Sequence, residues 1–497
     1  MGKNKISLLL VILTYTVCNI LMFTINGVCW DDCLIWGADR ADYEYFFGLG
    51  SCNNVLEYWY QTAILDNLSL RAQLVAFRLI AFFAGLLSSI AVWMLSDKLI
   101  ANRTSALFTA LLFAACSVNR TGIMISCLHY AISNMLVLWG MVAIAYDYYK
   151  DNVWLRLAAA LIWLVALLLW RSAVLLIPAV IVTLCCFKVK LKEVVPYAFK
   201  KYWMVIAACA IYAVSFMTWA HPQTIVAEYT TIGAKNLLLS PLTTTMTSLH
   251  IFLLYVAALF EAFSFGDSLL SIFPVALAVL VFFALRKTDR SSVVNERRLL
   301  ILSVVFMLFG VWPQMLIKDV IYTIDLHTEA SRIASLMPLP IAFVLVTATS
   351  HCTETLRRAG LSFLLAASVF YSISIYVDYE RGQEKNAVIE QYFKENPDLE
   401  GKKILIKDYT SGLNSFPGSY MRPYEYESLS AHAYGNENKV EVFLNPDAEV
   451  DFRLTIDYGD VVYGAYKLYA YRFISPERYE EAVKRLVRID LKDKATL

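Results

Sequence analysis

The sequence predicts a polytopic α-helical membrane protein with a small α/β domain at its C-terminal end. Three observations carry that prediction. Of 497 residues, 59% are hydrophobic and only 17% are charged, against ~25% charged in soluble domains, and mean hydropathy is +0.55. The apolar residues fall in long runs up to about residue 377, most near the ~20 residues that cross about 30 Å of hydrocarbon. Beyond 378 the composition turns polar. A net charge of +1 leaves no basic excess, which excludes a nucleic-acid partner from the expected functions.

About eleven spans are expected, near 6–26, 72–96, 104–118, 123–146, 154–170, 172–187, 203–220, 270–285, 299–317, 333–350 and 361–377. The first is too long for a signal peptide and precedes no small-residue cleavage site before Trp30, so it reads as a retained helix. Cytoplasmic loops hold the excess of Lys and Arg. Lys3, Lys5, Lys98, Arg103, Lys150, Lys188, Lys190, Lys192, Arg286, Arg297 and Arg357 all fall in one alternate set of loops. The N-terminus is therefore expected in the cytoplasm and the C-terminal domain outside, in a bacterial plasma membrane. Counting 248–265 as a span would reverse the basic loop 286–298, so that stretch is read as a re-entrant or interfacial helix.

The expected domains are 1–377, in the membrane, and 378–497, soluble and extracytoplasmic. Within the second, 384–395 and 476–487 read as helices, and 402–409, 439–446 and 461–473 as strands. Six cysteines sit in apolar runs as small hydrophobes. Cys29, Cys33 and Cys52 share one loop and leave a disulfide open.

The loop 27–71 holds the most chemistry. It runs Cys29-Trp30-Asp31-Asp32 directly after the first span, and places Glu57 among Tyr58, Trp59 and Tyr60. Two adjacent carboxylates here would meet the head of a lipid-linked substrate at the outer surface. They also repel each other, which raises one pKa and makes a better base.

At these residues the chain resembles the GT-C superfamily of polyprenyl-phosphate-sugar-dependent glycosyltransferases. The resemblance rests on the acidic pair after the first helix, on about eleven spans with an outer C-terminal domain, and on Arg332 running to Pro338 and Pro340. The tyrosine that often follows that arginine is replaced by Ile333, and no branch is assigned. The resemblance implies a polyprenyl-phosphate-linked sugar donor and a glycan, lipid or protein acceptor in the cell envelope. Asp31 or Asp32 would then be the general base of an inverting transfer, while cations stabilise the leaving phosphate. Some branches use magnesium or manganese, which Asp31, Asp32 and Glu57 could accept.

Each candidate also has a plainer reading. Asp31 and Asp32 could cap a helix, and Glu57 could line a solvated face. Arg78 lies within the second span, where ionisable groups are functional by default, yet it could snorkel. Arg171 could anchor at the interface, and His129 could be a packing histidine. Together Arg78, Arg171 and Arg332 are expected to line a phosphate cavity, with Glu57 and His129 as further substrate contacts. A transporter or flippase for lipid-linked oligosaccharide, or a polymerase of O-antigen type, stays open as an alternative.

Overall fold

The computed structural model describes residues 3–37, 40–48, 55–170, 173–219, 234–261, 272–284, 296–317, 326, 329–408, 414–416, 421–444 and 487–491. The helices in chain order are α1 (Lys3–Asn19), α2 (Arg40–Phe47), α3 (Val55–Asn67), α4 (Leu70–Leu99) and α5 (Arg103–Ala115). Next come α6 (Leu128–Lys150), α7 (Val153–Leu169), α8 (Ala173–Cys185), α9 (Val194–Trp219) and α10 (Ala234–Glu261). The series ends with α11 (Ile272–Ala284), α12 (Glu296–Ile317), α13 (Pro338–Ala348), α14 (Glu354–Glu395) and α15 (Pro423–Tyr434).

Among the described residues, seven helices are long and apolar enough to cross a membrane: Lys5–Phe23, Leu70–Leu99, Ile125–Lys150, Val194–Tyr212, Leu237–Phe260, Glu296–Leu316 and Glu354–Glu395. The chain is a helical, multi-pass membrane protein. Six of these match expected spans. The expected spans 104–118, 154–170, 172–187, 270–285 and 333–350 instead contain shorter apolar helices, from Arg103–Ala115 to Pro338–Ala348.

Two helices are longer than expected. The helix read over 248–265 starts earlier than expected: its described part, up to Glu261, belongs to α10, which begins at Ala234 and continues for 28 residues, about 42 Å at 1.5 Å per residue. Its start was obscured by Pro241 and a run of threonines, yet Pro241 is accommodated inside the helix. The helix of the last expected span also runs on through 377/378. The span 361–377 and the helix 384–395 are parts of one 42-residue helix, α14. Its apolar part packs among the membrane helices, and its tail buries Ile389 and Phe393 in the C-terminal core.

Local chemistry sets several of these boundaries. Asn102 caps α5 by accepting from Ser105 N at 2.9 Å, and Asn152 caps α7 by accepting from Trp154 N at 2.9 Å. Between α6 and α7, Gly140 lets the helices close up, since a Cβ there would lie 2.1 Å from Trp163 Nε1. Trp163 uses the space to donate to the Val137 carbonyl at 3.0 Å. The largest apolar core joins α1, α4 to α9 and α11 to α14.

The C-terminal unit has a parallel sheet in the order β2-β1-β3, from β1 (Lys403–Asp408), β2 (Glu441–Leu444) and β3 (Val487–Leu491). β1 and β2 fall where strands are expected. The strand expected over 461–473 and most of the helix expected over 476–487 lie outside the described residues. β3 begins at the last residue of that expected helix, and α15 was not anticipated. Ile404, Val440 and Val442 pack with Tyr426 and Leu429 of α15 and with the tail of α14.

Candidate functional site

The acidic pair sits in a 3-10 turn, Trp30–Leu34, and the turn points its two carboxylates in different directions. Asp32 is buried. Its Oδ2 accepts from Ile125 N at 2.7 Å, and its Oδ1 accepts from Ser126 N and Ser126 Oγ, both at 2.8 Å. Burial pushes its carboxyl up to about 7, although the donors from Ser126 and Ile125 pull the other way and neighbouring Asp31 adds to the rise. Among the described residues no Lys or Arg nitrogen pairs with it. Asp31 is only half-buried, and its Oδ1 accepts from Tyr424 Oη at 2.7 Å.

Trp30 binds this turn to the C-terminal unit. Its φ of 54° lies in the left-handed region, a strained conformation for a bulky residue, worth ~1–3 kcal/mol. Its N–H donates to Glu425 Oε2 at 2.8 Å, and the Arg332 guanidinium lies 4.9 Å from the ring centroid. Trp30 Nε1 is buried with no hydrogen-bond partner among the described residues. Glu425 closes the capping box of α15 by also accepting from Arg422 N at 2.8 Å. Burial raises its carboxyl to about 6 against those donors.

Arg78 is buried on α4, where it donates to the Met22 carbonyl and, at 2.8 Å, to the Gly27 carbonyl. Those contacts brace the chain between α1 and Trp30, so the guanidinium holds the loop in place. Glu57 and His129 do meet: His129 Nδ1 lies 2.8 Å from Glu57 Oε1, outside hydrogen-bond geometry. Gln61 Nε2 donates to the same oxygen at 3.3 Å, and Tyr43 Oη donates to Gln61 Oε1 at 3.0 Å. Glu57 is thus a buried member of a polar chain, and the solvated-face reading is set aside. Arg171 lies outside the described residues.

Sequence reasoning missed the partners that fix the site. Tyr424 and Glu425 come from a helix nearly 400 positions along the chain, for which only the Pro423 start and the acid at Glu425 were local signals. Arg120 was missed as well. Its guanidinium pairs with Asp378 in a buried contact, its N–H donates to Ser331 Oγ at 3.1 Å, and its carbonyl accepts from Tyr379 Oη at 2.8 Å. These contacts tie α14 and the turn carrying Arg332 to the segment that holds Asp32.

Asp31, Asp32 and Glu57 do not face one another as a cation would require. Asp32 is turned to Ile125 and Ser126, and Glu57 to His129 and Gln61. Among the described residues, no three His, Cys, Asp or Glu side chains are grouped to hold a metal ion. Cys29 and Cys33 are free, buried thiols whose pKa values burial raises, and Cys52 lies outside the described residues.

The chemistry the arrangement offers is a half-buried carboxylate on the residue after Trp30, a guanidinium 4.9 Å from the Trp30 ring centroid, and a buried indole N–H without a partner among the described residues. No protein-family model matches the chain, and no curated protein matches it significantly.

Proposed function

We propose that this protein is a membrane glycosyltransferase that moves a sugar from a polyprenyl-phosphate donor to a glycan, lipid or protein acceptor of the cell envelope. The supporting observation is that the turn carrying Asp31 presents the Trp30 ring 4.9 Å from the Arg332 guanidinium, while Asp31 itself accepts from Tyr424 Oη. In this reading Asp31 accepts the proton of the acceptor hydroxyl as its oxygen bonds to the anomeric carbon. The bond from that carbon to the phosphate oxygen breaks, and the polyprenyl phosphate leaves as an anion stabilised by Arg332. Attack opposite the leaving group inverts the anomeric centre. Asp32, held by three donors, positions the turn. The Trp30 indole N–H donates to a substrate oxygen.

The proposal keeps the expected orientation, with the N-terminus in the cytoplasm and the Asp31 end of the bundle outside a bacterial plasma membrane. Purified protein given radiolabelled polyprenyl-phosphate sugars and an envelope acceptor fraction should form labelled product with one of them. Asp31→Asn should lower that transfer by ~100- to 10,000-fold, the range for a lost positioned base, while inserting normally. Labelled lipid carried across a proteoliposome without transfer would replace the enzyme with a transporter. Unchanged transfer by Asp31→Asn would remove Asp31 as the base.

A further inference from the structure

The far end of the bundle from Asp31 carries a surface that the proposed reaction does not use. α9 has a kink at Tyr202, where φ is −115° and ψ is 23°. The turns before the kink form an amphipathic helix. Val194, Ala198 and Tyr202 are buried, whereas Val195, Phe199 and Trp203 are 52%, 53% and 57% exposed. Each set repeats at i, i+4 and i+8, so the two stripes lie on different faces.

This short helix is clamped to α6. Lys201 Nζ lies 3.1 Å from Asp147 Oδ2 and 2.9 Å from Asp151 Oδ1, and Tyr202 Oη donates to Asp147 Oδ2 at 2.9 Å. Lys188, Lys190 and Lys192 lie in the segment leading into this helix and Lys200 follows Phe199 on it, all exposed. Lys188 is committed locally, donating to the Tyr148 carbonyl at 2.8 Å. The others have no carboxylate within ion-pair distance among the described residues, and Glu193 is the single acid between residues 188 and 201.

We propose that this face binds anionic phospholipid, with the headgroup phosphate on Lys190, Lys192 and Lys200 and the acyl chains against Phe199 and Trp203. The pattern supports a lipid occupant specifically. A soluble anion would need the cations but has no use for a rigid apolar stripe beside them. A neutral lipid would need the stripe but not the charge. Basic residues at a membrane surface attract anionic lipid by about fivefold in affinity each, an attraction that dies away within a Debye length.

The test uses the full chain in bilayer nanodiscs containing brominated phosphatidylglycerol or brominated phosphatidylcholine. The signal is the quenching of Trp203, taken as the difference between wild type and Trp203→Phe. Phosphatidylglycerol should quench at least severalfold more strongly per molecule at low salt, and the preference should shrink at 0.5 M salt, where the Debye length is only about 4 Å. K190Q/K192Q/K200Q should abolish the preference. K394Q/K402Q/K439Q, with the same change in net charge in the C-terminal unit, should retain it. Equal quenching by the two lipids in wild type would overturn the proposal. So would a preference that survives in K190Q/K192Q/K200Q, or one that inorganic phosphate competes away at millimolar concentration.

Discussion

The two ends of α6 each hold a buried aspartate, and the two are treated differently. Asp147 is fully buried near the C-terminal end. It faces Lys201 at 3.1 Å and Arg156 at 3.3 Å, and accepts from Tyr202 Oη and from Asn152 N at 2.7 Å. Asp32, about 29 Å away along the helix axis at 1.5 Å per residue, receives only neutral donors from the segment entering α6. A buried carboxylate paired with cations is a fixture of the fold. One held by neutral donors keeps part of its desolvation cost and titrates near neutrality. The first clamps helices together, while the second holds the turn that carries Asp31 against the segment entering α6.

Removing each aspartate should separate these roles. Asp147→Ala leaves Lys201 and Arg156 in a poorly solvated place, and loss of one partner of a buried pair costs about 3–5 kcal/mol. The lower end is expected, because Asp151 still faces Lys201. Thermal unfolding in detergent should show the largest loss of any single variant considered, with residual transfer scaling only with the folded fraction. Asp32→Asn turns an acceptor into a donor facing Ile125 or Ser126, for about 1–3 kcal/mol. It should loosen the turn and lower activity less than Asp31→Asn does.

The same contrast predicts a pH dependence. Asp32 and Glu425 have folded pKa values of about 7 and about 6, above the ordinary 3.8 and 4.5. The folded state therefore binds more protons than the unfolded state in those windows, and stability falls as pH rises through them. The contribution from Asp32 is complete below about 4 and lost by about 7, and that from Glu425 is lost between about 4.5 and 6. Unfolding midpoints measured from pH 4 to 8 should fall with pH in wild type. The fall should be shallower in Asp32→Asn above pH 6 and in Glu425→Gln below it. A profile that rises across the range would show both carboxylates to be stabilised as anions.

Tyr424→Phe should give the smallest effect. It removes one hydrogen bond to a charged group, about 1.5–3 kcal/mol when buried and less at half-buried Asp31. The Tyr424 hydroxyl favours the ionised carboxylate, so its loss should raise the acid limb of the kcat/KM profile while leaving the unfolding midpoint nearly unchanged. An unmoved acid limb would detach Tyr424 from the reacting carboxylate.

The sequence made the membrane class legible because hydropathy needs no tertiary information. It also placed Asp31 and Asp32 at one end of the bundle. The different orientations of the two carboxylates were not legible, since they depend on a 3-10 turn and on Ser126 and Tyr424, far away in the chain. The partners of Arg78 were not legible for a related reason. An arginine within a span signals that its charge must find partners, and here the Met22 and Gly27 carbonyls take its two Nη groups, which no periodicity reports. α10 was underestimated because Lys and Arg counts in loops were given priority over helix length.

The assignment of Asp31 as base and Asp32 as its support is tested most directly by chemical rescue. Asp31→Ala and Asp32→Ala are each assayed for transfer of labelled sugar, with and without added formate. Formate can replace a missing carboxylate where the cavity left behind opens to substrate. The account predicts that formate restores part of the transfer to Asp31→Ala and none to Asp32→Ala. Rescue of Asp32→Ala alone, or full activity of Asp31→Ala without formate, would contradict it.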